Sequence, residues 1–361
     1  MPASAPHPSE QARLLRLGIA GVGRVGQIAH LAHYAALPDL DITIADLRPD
    51  LANEVAQRYG VRAVVDHHAL LAQGLDALVV VVRREALGPI VLDALAAGVP
   101  VLSEKPVAMT LTDAERLRDA AIRHGVLYAA GYMKRSDAGV AHARDLLQRR
   151  RQDGAWGALV RVEVWSEAGI DGAQPQTVAM TAEARPSGLE TWEAAPDWLP
   201  PSLRGAYEET LNVHSHATNL VRWMLDAPLA ITTAQRDGAL VTVTAQAADI
   251  PVAFALRDDR RSSAWSEGAS FVFAGGTLRL DLPAPFLPAA AARVTESSPA
   301  GTQVHTVDAD GGAFARQCKS FVAAVRGTAK FPALGADAVH DVAFADDLWR
   351  RLTAPAFLET R

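Results

Sequence analysis

Between residue 14 and about residue 132 the apolar positions fall into short solid runs separated by stretches of helical spacing. Residues 15–20 form a short apolar run, followed by a glycine-rich turn and a helical stretch over 25–36. The β-branched segment 41–45 reads as a strand, 51–59 as a helix ended by Gly60, and 61–65 as another short strand. Residues 76–82 are almost entirely Val and Leu, as expected of a parallel strand covered on both faces. A helix over 89–97 stops at Gly98, and 99–102 is the next strand. Thr112-Asp113-Ala114-Glu115 has capping-box spacing and opens a helix that ends near Gly125, ahead of a strand over 126–130. Strands alternating with helices in this way predict a doubly wound parallel sheet.

After about Arg135 the pattern changes. One helix over 139–150 precedes strands of more alternating character at 159–165, 239–245, 252–256, 269–273, 277–282 and 303–307. Strands without intervening helices predict a mostly antiparallel sheet. The segment 168–204, rich in Pro, Gly and Trp, reads as a long ordered loop suited to lining a cleft. A breaker-rich link at 283–288 and two helices, 313–326 and 336–352, complete the chain. The reading is an α/β protein with a disordered tail at 1–13, a doubly wound domain at 14–135 and a second α/β domain at 136–361. The last two helices are candidates to pack back on the first domain.

Composition narrows the function classes. A length of 361 residues suits two domains, and 49% hydrophobic with 21% charged residues is ordinary for a globular enzyme. A net charge of −6 gives no basic footprint for nucleic acid. The one cysteine, Cys318, excludes an internal disulfide framework and a cysteine-built zinc site, and its helical surroundings suit a buried thiol. The apolar runs are too short to span a bilayer, and the Pro/Ala/Ser-rich start lacks the pattern of a secretory signal, so no membrane role and a cytoplasmic location are expected.

Gly21-Val22-Gly23-Arg24-Val25-Gly26 matches G-x-G-x-x-G between a strand and a helix. The first glycine permits the tight turn and the second admits a pyrophosphate. The third lets the helix pack close, so that its N-terminus faces the anion. Asp46 stands twenty residues after Gly26, where a carboxylate meets the adenosine ribose hydroxyls. An acid there repels a 2′-phosphate and favours NAD, while Arg48 leaves NADP possible. A methyltransferase loop is the competing reading of the same pattern.

Ser103-Glu104-Lys105-Pro106 follows the strand at 99–102. With the glycine loop, it resembles the Gfo/Idh/MocA oxidoreductases, the family of glucose–fructose oxidoreductase and inositol dehydrogenase. The resemblance implies a Rossmann half, this E-K-P element, and an α/β half with an open sheet that pairs subunits into a homodimer or homotetramer. It also implies that Lys105 lies beside the nicotinamide and the substrate hydroxyl, where a cation stabilises alkoxide character. Arg24, Val25, Val82, Arg83 and Glu104 are further candidate cofactor contacts, with a surface position for Arg83 and Arg84 as open as an approach to the phosphates.

The family's Asp and following His fall on Asn212 and His216 in Leu211-Asn212-Val213-His214-Ser215-His216-Ala217-Thr218-Asn219. On a regular helix Asn212, His216 and Asn219 share one face, and His214 points elsewhere. An amide cannot act as a carboxylate base, so Asn212 is expected to position substrate while His216 and Lys105 manage the proton. Two further stretches depart from or extend the pattern. Val82-Arg83-Arg84-Glu85 stands where the family usually has T-P-x, and Gly131-Tyr132-Met133-Lys134-Arg135 resembles its domain-junction segment. Tyr132, Lys134, Arg135 and Asn219 are thereby candidate substrate contacts, with an interdomain structural role for Arg135 equally open.

The expected activity is NAD(P)-dependent oxidation or reduction of a sugar, sugar derivative or cyclitol. Trp192, Trp198 and Tyr207 read either as sugar-stacking faces or as packing anchors of the long loop. His67-His68 and His214-Ser215-His216 lack zinc-ligand spacing with a neighbouring acid, so no metal is expected. Two alternatives stay open: NAD-dependent glycoside cleavage, and a cofactor-binding sensor or scaffold without turnover.

Overall fold

The computed structural model describes residues 13–168, 178–184, 187, 189–258, 265–287 and 289–354. The expected tail at 1–13 lies almost wholly outside them. The first half builds a six-stranded parallel sheet in the order β3-β2-β1-β4-β5-β6. Its strands are β1 (Leu15–Ala20), β2 (Leu40–Ala45), β3 (Arg62–Val64), β4 (Ala77–Val80), β5 (Val101–Ser103) and β6 (Tyr128–Ala130). β4 is buried at every position, which is why its sequence is a solid apolar run rather than an alternating one.

The connecting helices are α1 (Ala32–Tyr34), α2 (Pro49–Tyr59), α3 (His67–Leu71), α4 (Arg84–Ala96) and α5 (Leu111–His124). α1 continues a wide, π-type turn over Gly26–Leu31. Gly60 and Gly125 end α2 and α5 at φ +65° and +64°, the left-handed region that costs a glycine nothing. Two boundaries differ from expectation. α5 is capped by Thr110, whose hydroxyl accepts the Asp113 amide, two residues before the expected box. α4 begins five residues before Pro89, so the proline lies inside the helix.

After a short turn at Met133–Ser136 come α6 (Ala138–Asp153), β7 (Leu159–Ala168) and a helical stretch. That stretch joins α7 (Arg204–Glu209) to α8 (Ser215–Leu225) through a second wide turn, Thr210–His214. An eight-stranded sheet follows, ordered β14-β13-β12-β11-β7-β10-β9-β8. The new strands are β8 (Leu229–Asp237), β9 (Leu240–Ala247), β10 (Ile250–Asp258), β11 (Ser266–Phe273), β12 (Gly276–Leu282), β13 (Arg293–Ser298) and β14 (Gly301–His305). Neighbours are antiparallel except β7 and β10. β9 and β10 alternate buried and exposed residues, so one face of the sheet packs inward and the other is open.

The last helices, α9 (Gly312–Val325) and α10 (Gly335–Thr353), return to the first half, α9 against α1 and α10 against α5. The Ala130 amide donates to the Ala333 carbonyl at 2.8 Å, tying this return to β6. Cys318 is fully buried in α9, as expected of a structural thiol. Among the described residues no helix is long and apolar enough to cross a membrane.

Candidate dinucleotide and catalytic site

The glycine loop has the shape its sequence demands. Gly21 sits at φ +94°, and a Cβ there would lie 2.1 Å from the Val81 carbonyl oxygen. A Cβ on Gly26 would lie 2.3 Å from the carbonyl oxygen of Gly21, so both positions exclude any side chain. At Gly23 the nearest atom to such a Cβ is an Arg48 guanidinium nitrogen, 3.8 Å away. That leaves backbone open to approach, and Arg24 and Val25 are exposed beside it at the helix start. A loop closed by glycine on its inner side and open on its outer side fits a pyrophosphate. Val82 borders Gly21, and Arg83 precedes α4.

Asp46, at the end of β2, accepts the Val22 amide at 3.0 Å and the Arg48 amide at 3.1 Å. The Arg48 guanidinium adds two hydrogen bonds, at 2.8 and 2.9 Å. The acid and the arginine that pull cofactor choice in opposite directions are thus paired with each other.

At the end of β5, Glu104 binds the imidazole of His30 at 2.8 Å. Burial works to raise the Glu104 pKa, but the His30 hydrogen bond and the charges of His30 and Lys105 hold it below its ordinary value. This links the E-K-P element to the helix of the glycine loop. His30 was not singled out in the sequence, although it stands four residues past Gly26 on that helix.

Lys105 reaches across to the second half of the chain. Its ammonium donates to the backbone carbonyl of Asn212 and, at 3.1 Å, to the Asn212 side-chain oxygen. Burial pushes its pKa down to about 8, opposed by Glu104 and reinforced by Arg84 and Lys134.

His216 is 6% exposed, and its Nδ1 finds no hydrogen-bond partner among the described residues. Its ring meets Tyr132 edge-on, with centroids 5.7 Å apart. Burial, then the charges of Lys105 and Lys134, hold its pKa well below 6.5, so the ring is neutral near pH 7. His214 binds Ser166 of β7 at 3.0 Å. The regular i, i+4 relation of Asn212 and His216 is altered by the wide turn between them. Such turns recur at functional sites.

Three expected substrate contacts are committed elsewhere. The Asn219 side chain donates to Asp341 at 2.6 Å and accepts from Arg135 at 2.7 Å. Arg135 also pairs with Asp337 at 2.7 Å, and Arg222 joins both aspartates. These groups form a buried network that anchors α10, which satisfies Asn219 and Arg135 internally. Lys134 is buried in an ion pair with Glu267 of β11 and is likewise partnered. Arg84 pairs with Glu208 of α7 and so bridges the two halves.

A segment of the long connection also reaches the glycine loop, which no spacing had signalled. The Gln27 side chain donates to the Val22 and Ala179 carbonyls at 2.9 and 3.0 Å and accepts the Ala179 amide at 2.8 Å. Trp192 packs on Gly88, in the manner of an anchor rather than an open stacking face. The Trp198 ring lies under Arg350, and Tyr207 is fully buried with its hydroxyl on the Met109 carbonyl. His67 and His68 do meet an acid that the sequence reading missed, because Asp93 comes from α4: His67 binds it at 3.0 Å, and the ligand atoms of all three lie within 4.8 Å of one another.

Comparison with known proteins agrees with this architecture. Residues 15–132 match the model of an oxidoreductase family with an NAD-binding Rossmann fold, GFO_IDH_MocA. The inositol 2-dehydrogenase/D-chiro-inositol 3-dehydrogenase of Shouchella clausii is 34% identical over 110 residues. That match covers 29% of this chain and 32% of the relative, so it spans about a third of the curated protein's length. A solved UDP-N-acetylglucosamine 3-dehydrogenase from Acidithiobacillus ferrooxidans superposes with a TM-score of 0.69 at 19% identity, covering 95% of this chain and 99% of that one. An oxidoreductase from Agrobacterium radiobacter, solved with NAD+, L-tartaric acid and magnesium, gives 0.70 at 14% identity, covering 94% and 96%. These superpositions show the fold. Over residues 15–132 the chain carries the NAD-binding Rossmann domain of the Gfo/Idh/MocA oxidoreductase family.

Proposed function

We propose that this chain is an NAD(P)-dependent oxidoreductase acting on a secondary alcohol or ketone of a sugar, sugar derivative or cyclitol. The observation that carries the reading is the position of Lys105. It stands at the end of β5, tied through Glu104 and His30 to the glycine-loop helix, with its ammonium on Asn212 of the second half. A bound nicotinamide dinucleotide supplies hydride acceptance or donation. Gly21, Gly23, Arg24, Val25 and Gly26 hold its phosphates in this reading, with Asp46 on the adenosine side and Val82 and Arg83 flanking the loop.

Lys105 then faces the reacting oxygen. As the amine it accepts the hydroxyl proton; as the ammonium it stabilises negative charge on that oxygen. A pKa near 8 keeps both forms accessible close to neutral pH. Neutral His216 offers its unpartnered Nδ1 to a second hydroxyl or to the same proton path. Asn212 replaces a carboxylate with an amide, so it orients Lys105 and substrate and takes no proton. Tyr132 fixes the His216 ring from its edge.

The test is steady-state turnover on a panel of inositols, sugars and sugar nucleotides with NAD and with NADP, read as nicotinamide absorbance, for the native chain, Lys105→Met and His216→Ala. Losses of about 10²–10⁴-fold in kcat are expected for Lys105→Met. Near-native turnover in that variant would overturn the assignment. Glycoside release without net nicotinamide change would move the reading to redox-assisted cleavage. Cofactor binding without any turnover would move it to a sensor, which the amide at position 212 favours.

A further inference from the structure

Glu183 comes from the second half of the chain, yet it is bonded to the nucleotide-binding half at the adenosine end of the crevice. Its carboxylate accepts the amides of Asp50 and Leu51, at 3.1 and 3.0 Å, in the first turn of α2. Thr181 adds a hydroxyl donor at 2.9 Å. α2 starts at Pro49, directly after Arg48, and Arg48 is the residue paired with Asp46. Glu183 and Arg48 each feel the other's charge. Ala179, four residues earlier in the same segment, is held by the paired hydrogen bonds of Gln27, so Glu183 is presented by a fixed strap.

We infer that Glu183 is a specificity-determining residue that, together with Asp46, excludes a 2′-phosphate and makes the chain select NAD over NADP. This rests on the dinucleotide reading above and deepens it. A 2′-phosphate beside Asp46 needs unpaired amides and a guanidinium to receive it. Here Glu183 already occupies two amides at the start of α2, and Asp46 already holds the Nε–Nη2 edge of the Arg48 guanidinium. An added phosphate therefore meets the negative charge of two carboxylates, with which Arg48 already shares its own charge. The unmodified ribose carries no charge and leaves Glu183 undisturbed.

The experiment is equilibrium binding of NADH and of NADPH to the full chain without substrate, read by nicotinamide fluorescence, for the native chain, Glu183→Gln and Glu183→Lys. The native chain is expected to bind NADH at least tenfold more tightly than NADPH. In Glu183→Gln the NADPH Kd should fall about tenfold while the NADH Kd stays within about twofold. Glu183→Lys should narrow the gap further, and raising the salt should shrink the effect of both substitutions. Faster amide exchange at Asp50 and Leu51 in Glu183→Gln, measured without any dinucleotide, reports loss of the cap independently. An NADPH-to-NADH ratio unchanged in both variants overturns the inference and leaves the dinucleotide reading intact. A native chain that binds neither dinucleotide overturns both.

Discussion

Pro89 and Trp192, from different halves of the chain, share one carbonyl. A proline has no amide hydrogen, so Pro89 leaves the carbonyl of Glu85 without its partner in α4, and the Trp192 amide donates to that carbonyl at 2.8 Å. Gly88 makes room for the indole: a Cβ there would lie 2.1 Å from the ring. Arg116 covers the ring from 5.0 Å. A residue pair that breaks helices elsewhere has become the socket for the long connection.

Gly88→Ala tests the socket through its sign. In an undisturbed helix this change stabilises by about 1 kcal/mol. Here the methyl group meets the indole, and a net destabilisation of about 1–3 kcal/mol is expected from overpacking. Urea unfolding measures it, and faster exchange of the Trp192 amide should accompany it.

The pH profile of turnover should follow Lys105. Its ammonium is destabilised by burial, so the neutral amine is populated above about pH 8. Alcohol oxidation, which needs the amine, should rise through about pH 8 and level off; ketone reduction, which needs the ammonium, should fall over the same interval. Asn212→Asp places a carboxylate where the amide oxygen now lies 3.1 Å from the ammonium, which favours the charged form. Both profiles should move about one unit upward in that variant.

Acid stability has a separate source. Burial, with the charge of Lys134 beside it, lowers the His214 pKa to about 4. An unfolded chain protonates this ring near pH 6.5, so between pH 6.5 and about 4 the unfolded state binds the extra proton. Stability is therefore full above pH 6.5 and declines as the pH falls toward 4, by up to about 3 kcal/mol from this ring. His216 is depressed further and acts in the same sense. Urea midpoints at pH 7.5 and pH 5 should converge in His214→Asn relative to the native chain.

The network around Asp341 should govern stability rather than turnover. Asp341 is 2% exposed and depends on Asn219 and Arg222 for hydrogen bonds, with Arg135 contributing charge. Arg135→Met is expected to cost about 3–5 kcal/mol, because it strips a charge from a buried cluster. The KM of the folded variant should stay within about threefold of native, and a large rise in KM would return Arg135 to the substrate site.

What was legible in the sequence was whatever sits within one turn of chain. The glycine loop with Asp46, and Lys105 after its strand, are local patterns whose residue types are forced by backbone approach or by charge. Strands such as β4 and β10 declare themselves because burial is solid or strictly alternating. β8 and β13 did not: Leu229–Asp237 is exposed at most positions, and Arg293–Ser298 is largely polar. The start of α4 was hidden because Pro89 resembles a first-turn proline, and nothing local records that Trp192 compensates for it. Glu183 at α2, Gln27 at Ala179 and Glu267 at Lys134 join positions more than a hundred residues apart, where spacing carries no signal. Asn219 shares a helix with His216, but its hydrogen-bond partners come from elsewhere, Arg135 from the Met133–Ser136 turn and Asp341 from α10.

The two wide turns, Gly26–Leu31 and Thr210–His214, make chain length itself part of the design. Each accommodates an extra residue relative to a regular helix, one beneath the nucleotide loop and one at Asn212 itself. Substitution there alters a side chain, whereas deletion alters phase. Removing a single residue from Thr210–His214 would leave His216 chemically intact while turning it by about 100° against everything upstream. Alignments of related chains that run through these helices without a gap will then pair residues that share a column and face different directions.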